Sequence, residues 1–176
     1  ADFFLELLPG PRDRDGLPEG IRFWKRRLEE TDAEQTFRVG LLYGPSGCGK
    51  SSLVKAGLLP RLAPHVRSVY VECSPDQTEA RLLRRLHKEF PQLENEPSLP
   101  KALWRLRRRS GSGSGLLGDV RKLVLVLDQF EQWLHGRAVV ADTLLVEALR
   151  QCDGAHVQCL LLVRDDFWLA VSRFLR

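Results

Sequence analysis

Gly44, Gly49, Lys50 and Ser51 stand in the order G-x-x-x-x-G-K-S, inside the run Gly44-Pro45-Ser46-Gly47-Cys48-Gly49-Lys50-Ser51-Ser52. Glycines let a backbone curl until successive N–H groups face inward, and such a nest cradles a phosphate anion. A helix opening near Lys50 adds the positive end of its dipole. The Lys50 ammonium then reaches the β- and γ-phosphates, and the Ser51 hydroxyl becomes a ligand for Mg²⁺. With glycine near 7% of average composition, chance gives this pattern in such a chain on the order of 1% of the time. The run from Gly44 to Ser52 therefore predicts a nucleoside-triphosphate site with Mg²⁺. The bland alternative is a glycine-rich turn beside an exposed lysine. Cys48 reads as a small residue that the loop tolerates.

Asp128 closes the apolar run Leu123-Val124-Leu125-Val126-Leu127. A carboxylate at the C-terminal edge of a parallel strand shares a rim with the phosphate loop, where it can hold the Mg²⁺ shell. Capping a helix is the other use for an Asp there. Glu131 follows three residues later, so one helical turn puts both carboxylates on one side. Glu131 can then orient or deprotonate an attacking water. A solvated glutamate in a first helical turn competes with that reading. Gln129 competes for the water, because an amide orients it without taking its proton. Arg164 ends the run His156 to Val163 on the same rim. Its guanidinium can stabilise a γ-phosphate or pair with Asp165 or Asp166.

Alternating strands and helices must bring these groups together. Continuous apolar or β-rich runs predict four strands, near residues 38–43, 66–73, 122–127 and 156–163. Helical spacing predicts helices over Ile21 to about Glu30, Lys50 to Leu59 (stopped by Pro60), Thr78 to Phe90, Leu99 to Arg109 and Leu144 to Leu149. Asp165 or Asp166 is placed to cap a last helix running to Arg176. Such alternation predicts an α/β fold with a mostly parallel sheet covered on both faces. Residues 1–36 form an N-terminal segment and helix leading into a core of residues 37–176. Gly111-Ser112-Gly113-Ser114-Gly115 has linker composition, so a flexible loop is expected over residues 110–118.

The chain has 176 residues, 43% hydrophobic and 28% charged, with a net charge of +4. That suits one compact domain and excludes a disordered tail. No apolar run approaches the roughly 20 residues of a membrane span, so no membrane role is expected. Cys48, Cys73, Cys152 and Cys159 share no CxxC spacing, which predicts a reduced, cytoplasmic setting. His65, His87, His135 and His156 show no zinc spacing. Methionine is absent, position 1 included, and the expectation is a segment of a longer protein.

Three blocks together resemble a family. Gly44 to Pro60, Asp128-Gln129-Phe130-Glu131-Gln132-Trp133-Leu134 and Leu162-Val163-Arg164-Asp165-Asp166-Phe167 look like a bacterial novel STAND NTPase. STAND proteins are signal-transduction ATPases with numerous domains, related to the NACHT and apoptotic ATPases. The resemblance covers nearly the whole chain. It implies a three-layer, additional-strand core of AAA or RecA type with sheet order 2-3-4-1. It also implies ATP or ADP as ligand, Glu131 in the catalytic position with Lys50, and Arg164 as sensor. The activity implied is slow ATP hydrolysis in a nucleotide-gated assembly switch. Fused kinase, protease or β-propeller domains and a nucleotide-dependent homo-oligomer are the implied partners. The head resembles the subgroup in Asp2-Phe3-Phe4, without the glycine–arginine dipeptide that often follows.

Rival classes leave their own marks. No LSGGQ-like signature of a transporter ATPase precedes Asp128, and no N-K-x-D or T-K-x-D guanine reader of a GTPase is present. A small-molecule P-loop kinase would recruit arginines such as Arg105 to Arg109 as a lid. An ATP-dependent interaction module with negligible hydrolysis is the non-enzyme alternative. Arg81, Arg84, Arg85 and Arg105 to Arg109 could meet nucleic acid, against which the small net charge and dispersed acids argue.

Overall fold

A computed structural model describes residues 16–111, 119–135, 143–167 and 169–171. The Asp2-Phe3-Phe4 head, the expected loop beyond Gly111 and the end of the expected last helix lie outside them. In chain order the elements are α1 (Glu19–Glu29), β1 (Val39–Gly44), α2 (Lys50–Ser52), β2 (Val66–Glu72), α3 (Thr78–Glu89) and α4 (Leu99–Gly111). They continue with β3 (Lys122–Asp128), α5 (Phe130–His135), α6 (Leu144–Leu149) and β4 (Val157–Arg164). Each strand begins and ends within one residue of its expected place.

All three pairings are parallel and the order is β1-β4-β3-β2, which is the 2-3-4-1 order that the resemblance implies. β4 is thus the strand inserted between the phosphate-loop strand and the strand ending in Asp128. The unbroken apolar runs follow from burial on both faces. Leu123, Leu125 and Leu127 join a core with α3 to α6, while Val124 and Val126 join Ile21, Leu28, Val54 and Leu58 on the other face. Each such side chain contributes roughly 1.5–3 kcal/mol by leaving water. Gly40 is a close approach: a Cβ there would lie 2.4 Å from the Phe37 ring.

Three expectations need correction. The helix after the phosphate loop is α-helical only over α2, then a π-helix over Leu53–Leu58 and a 3₁₀ turn over Leu59–Arg61. Pro60 does not stop it. Lacking an N–H, Pro60 leaves the Ala56 carbonyl without its α-helical donor, and Arg61 Nη1 donates to Ala56 O at 2.8 Å and Gly57 O at 3.0 Å. Residues 110 and 111 belong to α4 rather than to a loop. After β4 a 3₁₀ turn spans Asp165–Phe167, with Asp165 accepting from the Asp166 N–H, so neither aspartate caps a helix there; residues 169–171 of the expected last helix are helical.

Two polar side chains are buried where α1 meets the sheet. Lys122, at the start of β3, donates to the Glu30 carbonyl. Burial pulls its pKa down from 10.5 to about 8, against the pull of Glu30 and Asp153. Gln158 donates to Thr36 Oγ1 at 2.9 Å and Phe37 O at 2.8 Å, tying β4 to the segment entering β1.

Candidate functional site

The loop between β1 and α2 turns through Gly47 at φ 75° and Gly49 at φ 90°. That left-handed region is open to glycine and costly for other residues. Gly44 is tight for a different reason: a Cβ there would sit 3.0 Å from Cys48 Sγ. Lys50 folds back over the loop, its Nζ donating to Gly44 O and Pro45 O at 2.8 Å each. It also reaches Cys48 Sγ at 3.6 Å, so no carboxylate holds this ammonium and it is ready to exchange its partners for phosphate oxygens.

A cleft of ≈ 420 Å³ opens against this loop, lined by Ser46, Gly47, Gly49, Lys50, Ser51 and Ser52. Asp128, Gln129, Glu131, Gln132, Leu162 and Arg164 line its other side. Gly44, Pro45 and Cys48 shape the loop without lining the cleft. Parallel register explains the convergence: Gly44 pairs with Arg164, and β3 ends at Asp128 beside β4.

Asp128 is buried and accepts from the Gln129 N–H at 2.8 Å and from the Tyr70 hydroxyl. Gln129 takes a positive φ of 53° so that the chain can leave β3 directly into α5. Such a conformation costs a non-glycine residue roughly 1–2 kcal/mol. Phe130 and Trp133 are fully buried and stacked at 5.2 Å, and Trp133 Nε1 donates to Glu79 at 3.0 Å. These anchors fix α5 and so aim Glu131 into the cleft. Glu131 is 5% exposed, and its Oε2 accepts the Arg164 N–H at 3.3 Å. It is not the solvated glutamate of a first helical turn. The Arg164 guanidinium meets Asp166 at 2.6 Å, the exposed ion pair weighed from sequence, while still lining the cleft.

Tyr70 is the residue that sequence reasoning missed. Its hydroxyl donates to Asp128 and lies close enough to Ser51 to interact with it, and these are the two expected metal ligands. Burial, and then the Asp128 carboxylate, push its pKa above the usual phenol value. Its ring carries Lys55 Nζ at 4.6 Å. The sole sequence signal is a tyrosine near the end of β2; that β2 lies beside β3 depends on pairing. A serine hydroxyl and a carboxylate are the hard oxygen donors that suit Mg²⁺ together with phosphate oxygens. Among the described residues no group of three or more His, Cys, Asp or Glu converges as a metal cage. The arginines offered as a kinase lid are spent elsewhere: Arg105 pairs with Glu96, Arg107 reaches Gln151 O, and Arg108 lies over Trp104.

Comparison with known proteins bears on the fold and the family. The Aeropyrum pernix ORC2 protein, solved as ADPNP–ADP complexes, superposes with a TM-score of 0.59 at 21% identity, over 96% of this chain and 46% of that one. The Walker-type ATPase PABY2304 of Pyrococcus abyssi gives a TM-score of 0.49 at 19% identity, over 89% and 48%. The chain thus spans about half the length of the solved structures it matches. No curated protein sequence matches it. The family profile described as Novel STAND NTPase 1 matches residues 22–175. With that match over a chain folded as a parallel P-loop core, the chain belongs to the novel STAND NTPase family.

Proposed function

We propose that this chain is an ATP-binding, slowly hydrolysing STAND switch module, its core running from residue 37 behind a leading segment of residues 1–36. The observation that carries it is the convergence of Lys50, Ser51, Asp128, Glu131 and Arg164 on one cleft from three distant stretches of sequence. Backbone N–H groups from Gly44 to Ser52, Pro45 excepted, hold the phosphates, and Lys50 turns from its carbonyls onto the β- and γ-oxygens. Ser51 and Asp128 would hold Mg²⁺, which would supply positive charge against the phosphates. Glu131 takes a proton from the attacking water, and Arg164 leaves Asp166 to meet the γ-phosphate. In a larger cytoplasmic protein, bound ATP or ADP then gates assembly with fused effector and repeat domains or with further copies of itself. No helix among the described residues is long and apolar enough to cross a membrane.

A second reading, nucleotide binding with negligible hydrolysis, draws on the Arg164 N–H, which already donates to one oxygen of the Glu131 carboxylate. Calorimetry with ATP·Mg²⁺ tests both, with turnover measured alongside. Lys50→Ala should weaken ATP roughly 10–100-fold, the weight of one charge-assisted hydrogen bond. Equal affinity in wild type and variant refutes the site. Tight binding without turnover selects the second reading.

A further inference from the structure

Among the described residues β2 pairs with β3 alone and forms one edge of the sheet. Beside it lies a concavity of ≈ 810 Å³, larger than the phosphate-loop cleft and sharing no residue with it. Its floor is Tyr70-Val71-Glu72 of the edge strand. Its wall is one flank of α3, where Arg81, Arg84, Arg85 and Lys88 follow at helical spacing over roughly 10 Å of axis. Lys55 enters from the opposite side of the sheet.

These five cations face one carboxylate, Glu72, which Lys55 already holds at 2.7 Å. Arg81 donates to Glu72 O and Gln77 Oε1. Among the described residues Arg84 reaches only the Ala80 carbonyl, at 3.4 Å. Among the described residues no carboxylate lies within ion-pair distance of Arg84, Arg85 or Lys88, although the whole chain carries only +4. Like charges at such spacing repel until an anion joins them. A sheet edge, for its part, presents N–H and C=O groups that another strand can pair.

We propose that this groove receives an extended acidic peptide, which adds to β2 as a further strand. Side chains of an added strand alternate between the two faces, with same-face neighbours about 6.6–6.8 Å apart. Carboxylates at alternate positions on one face therefore run along the α3 flank, and the intervening side chains lie on the other face. Backbone pairing supplies affinity and the cations supply selection, because they repel basic strands and penalise apolar ones. A nucleic-acid strand would use the cations and leave the strand edge unused.

Fluorescence anisotropy tests this with a labelled ten-residue peptide of alternating Glu and Val. Its controls are the Lys–Val counterpart, the Glu–Val peptide N-methylated at alternate residues, and a single-stranded DNA 12-mer. The Glu–Val peptide should bind, the Lys peptide should not, and N-methylation should weaken binding at least tenfold at unchanged charge. Arg85→Ala with Lys88→Ala removes two exposed side chains and should weaken the peptide roughly threefold to thirtyfold. ATP affinity of that double variant should stay at the wild-type value, so failure here is distinct from failure of the nucleotide site. Equal binding of the N-methylated peptide, an unaffected double variant, or capture of the DNA without the peptide each overturns the proposal.

Discussion

Tyr70→Phe separates a structural hydroxyl from one that guards the metal position. The substitution keeps the ring beneath Lys55 and removes the oxygen that donates to Asp128. A hydrogen bond to a charged group is worth about 1.5–3 kcal/mol. Asp128 is 2% exposed and would keep only the Gln129 N–H. Without metal, the variant should therefore unfold about 1.5–3 kcal/mol more easily. With Mg²⁺·ADP the sign reverses, because the cation no longer displaces the hydroxyl. The Mg²⁺-dependent part of ADP affinity should rise about 10–100-fold, at roughly 1.4 kcal/mol per decade. The assay is calorimetric titration of ADP with and without Mg²⁺, beside urea denaturation in the absence of both. ADP avoids the complication of turnover. An equal Mg²⁺ increment in both proteins, with the stability loss present, would refute competition between hydroxyl and metal. No stability loss at all would show that the hydrogen bond carries no weight.

Three further outcomes follow from the same geometry. Glu131→Gln should leave ATP binding intact, since the amide oxygen still accepts the Arg164 N–H, while turnover falls roughly 10²–10⁴-fold. If turnover survives and Gln129→Ala abolishes it, the water belongs to Gln129. Arg164→Ala should weaken ATP more than ADP with little change in stability, because exposed ion pairs such as that with Asp166 are worth at most about 1 kcal/mol; equal losses for both nucleotides assign Arg164 to the ion pair alone. Lys122 has its folded pKa lowered to about 8, so its stabilising contribution is absent below pH 8 and grows as pH rises toward 10.5. Burial holds the Cys73 and Cys152 thiols up at about 12 and Cys159 well above its usual value, so their contribution fades above about pH 9. Urea midpoints should therefore peak near pH 9, and Lys122→Met should remove the rise between pH 8 and 9 while leaving the fall; a rise that persists in Lys122→Met excludes Lys122 as its source.

The phosphate loop and the four strands were legible because they rest on local spacing. Gly44, Gly49, Lys50 and Ser51 are near neighbours whose geometry a single turn dictates, and an apolar run such as Leu123 to Leu127 implies burial on both faces wherever the strand lies. The strand order was reached through resemblance, since lateral order depends on pairing between residues far apart in sequence, such as Leu41 with Leu161. For the same reason only the tertiary structure could bring Tyr70 to Asp128 or the Arg164 N–H to Glu131. It also parted arginines that composition had grouped: Arg81, Arg84 and Arg85 face a groove, while Arg105, Arg107 and Arg108 are engaged elsewhere. The helix after the loop shows the limit within one segment. Pro60 signalled a stop, yet the π-helix of Leu53–Leu58 runs on into a 3₁₀ turn that takes in Pro60 and ends at Arg61, whose side chain donates to the Ala56 and Gly57 carbonyls. Local spacing determined which groups sit at strand ends; which of those ends share a cleft was decided by long-range pairing and the burial that stabilises it.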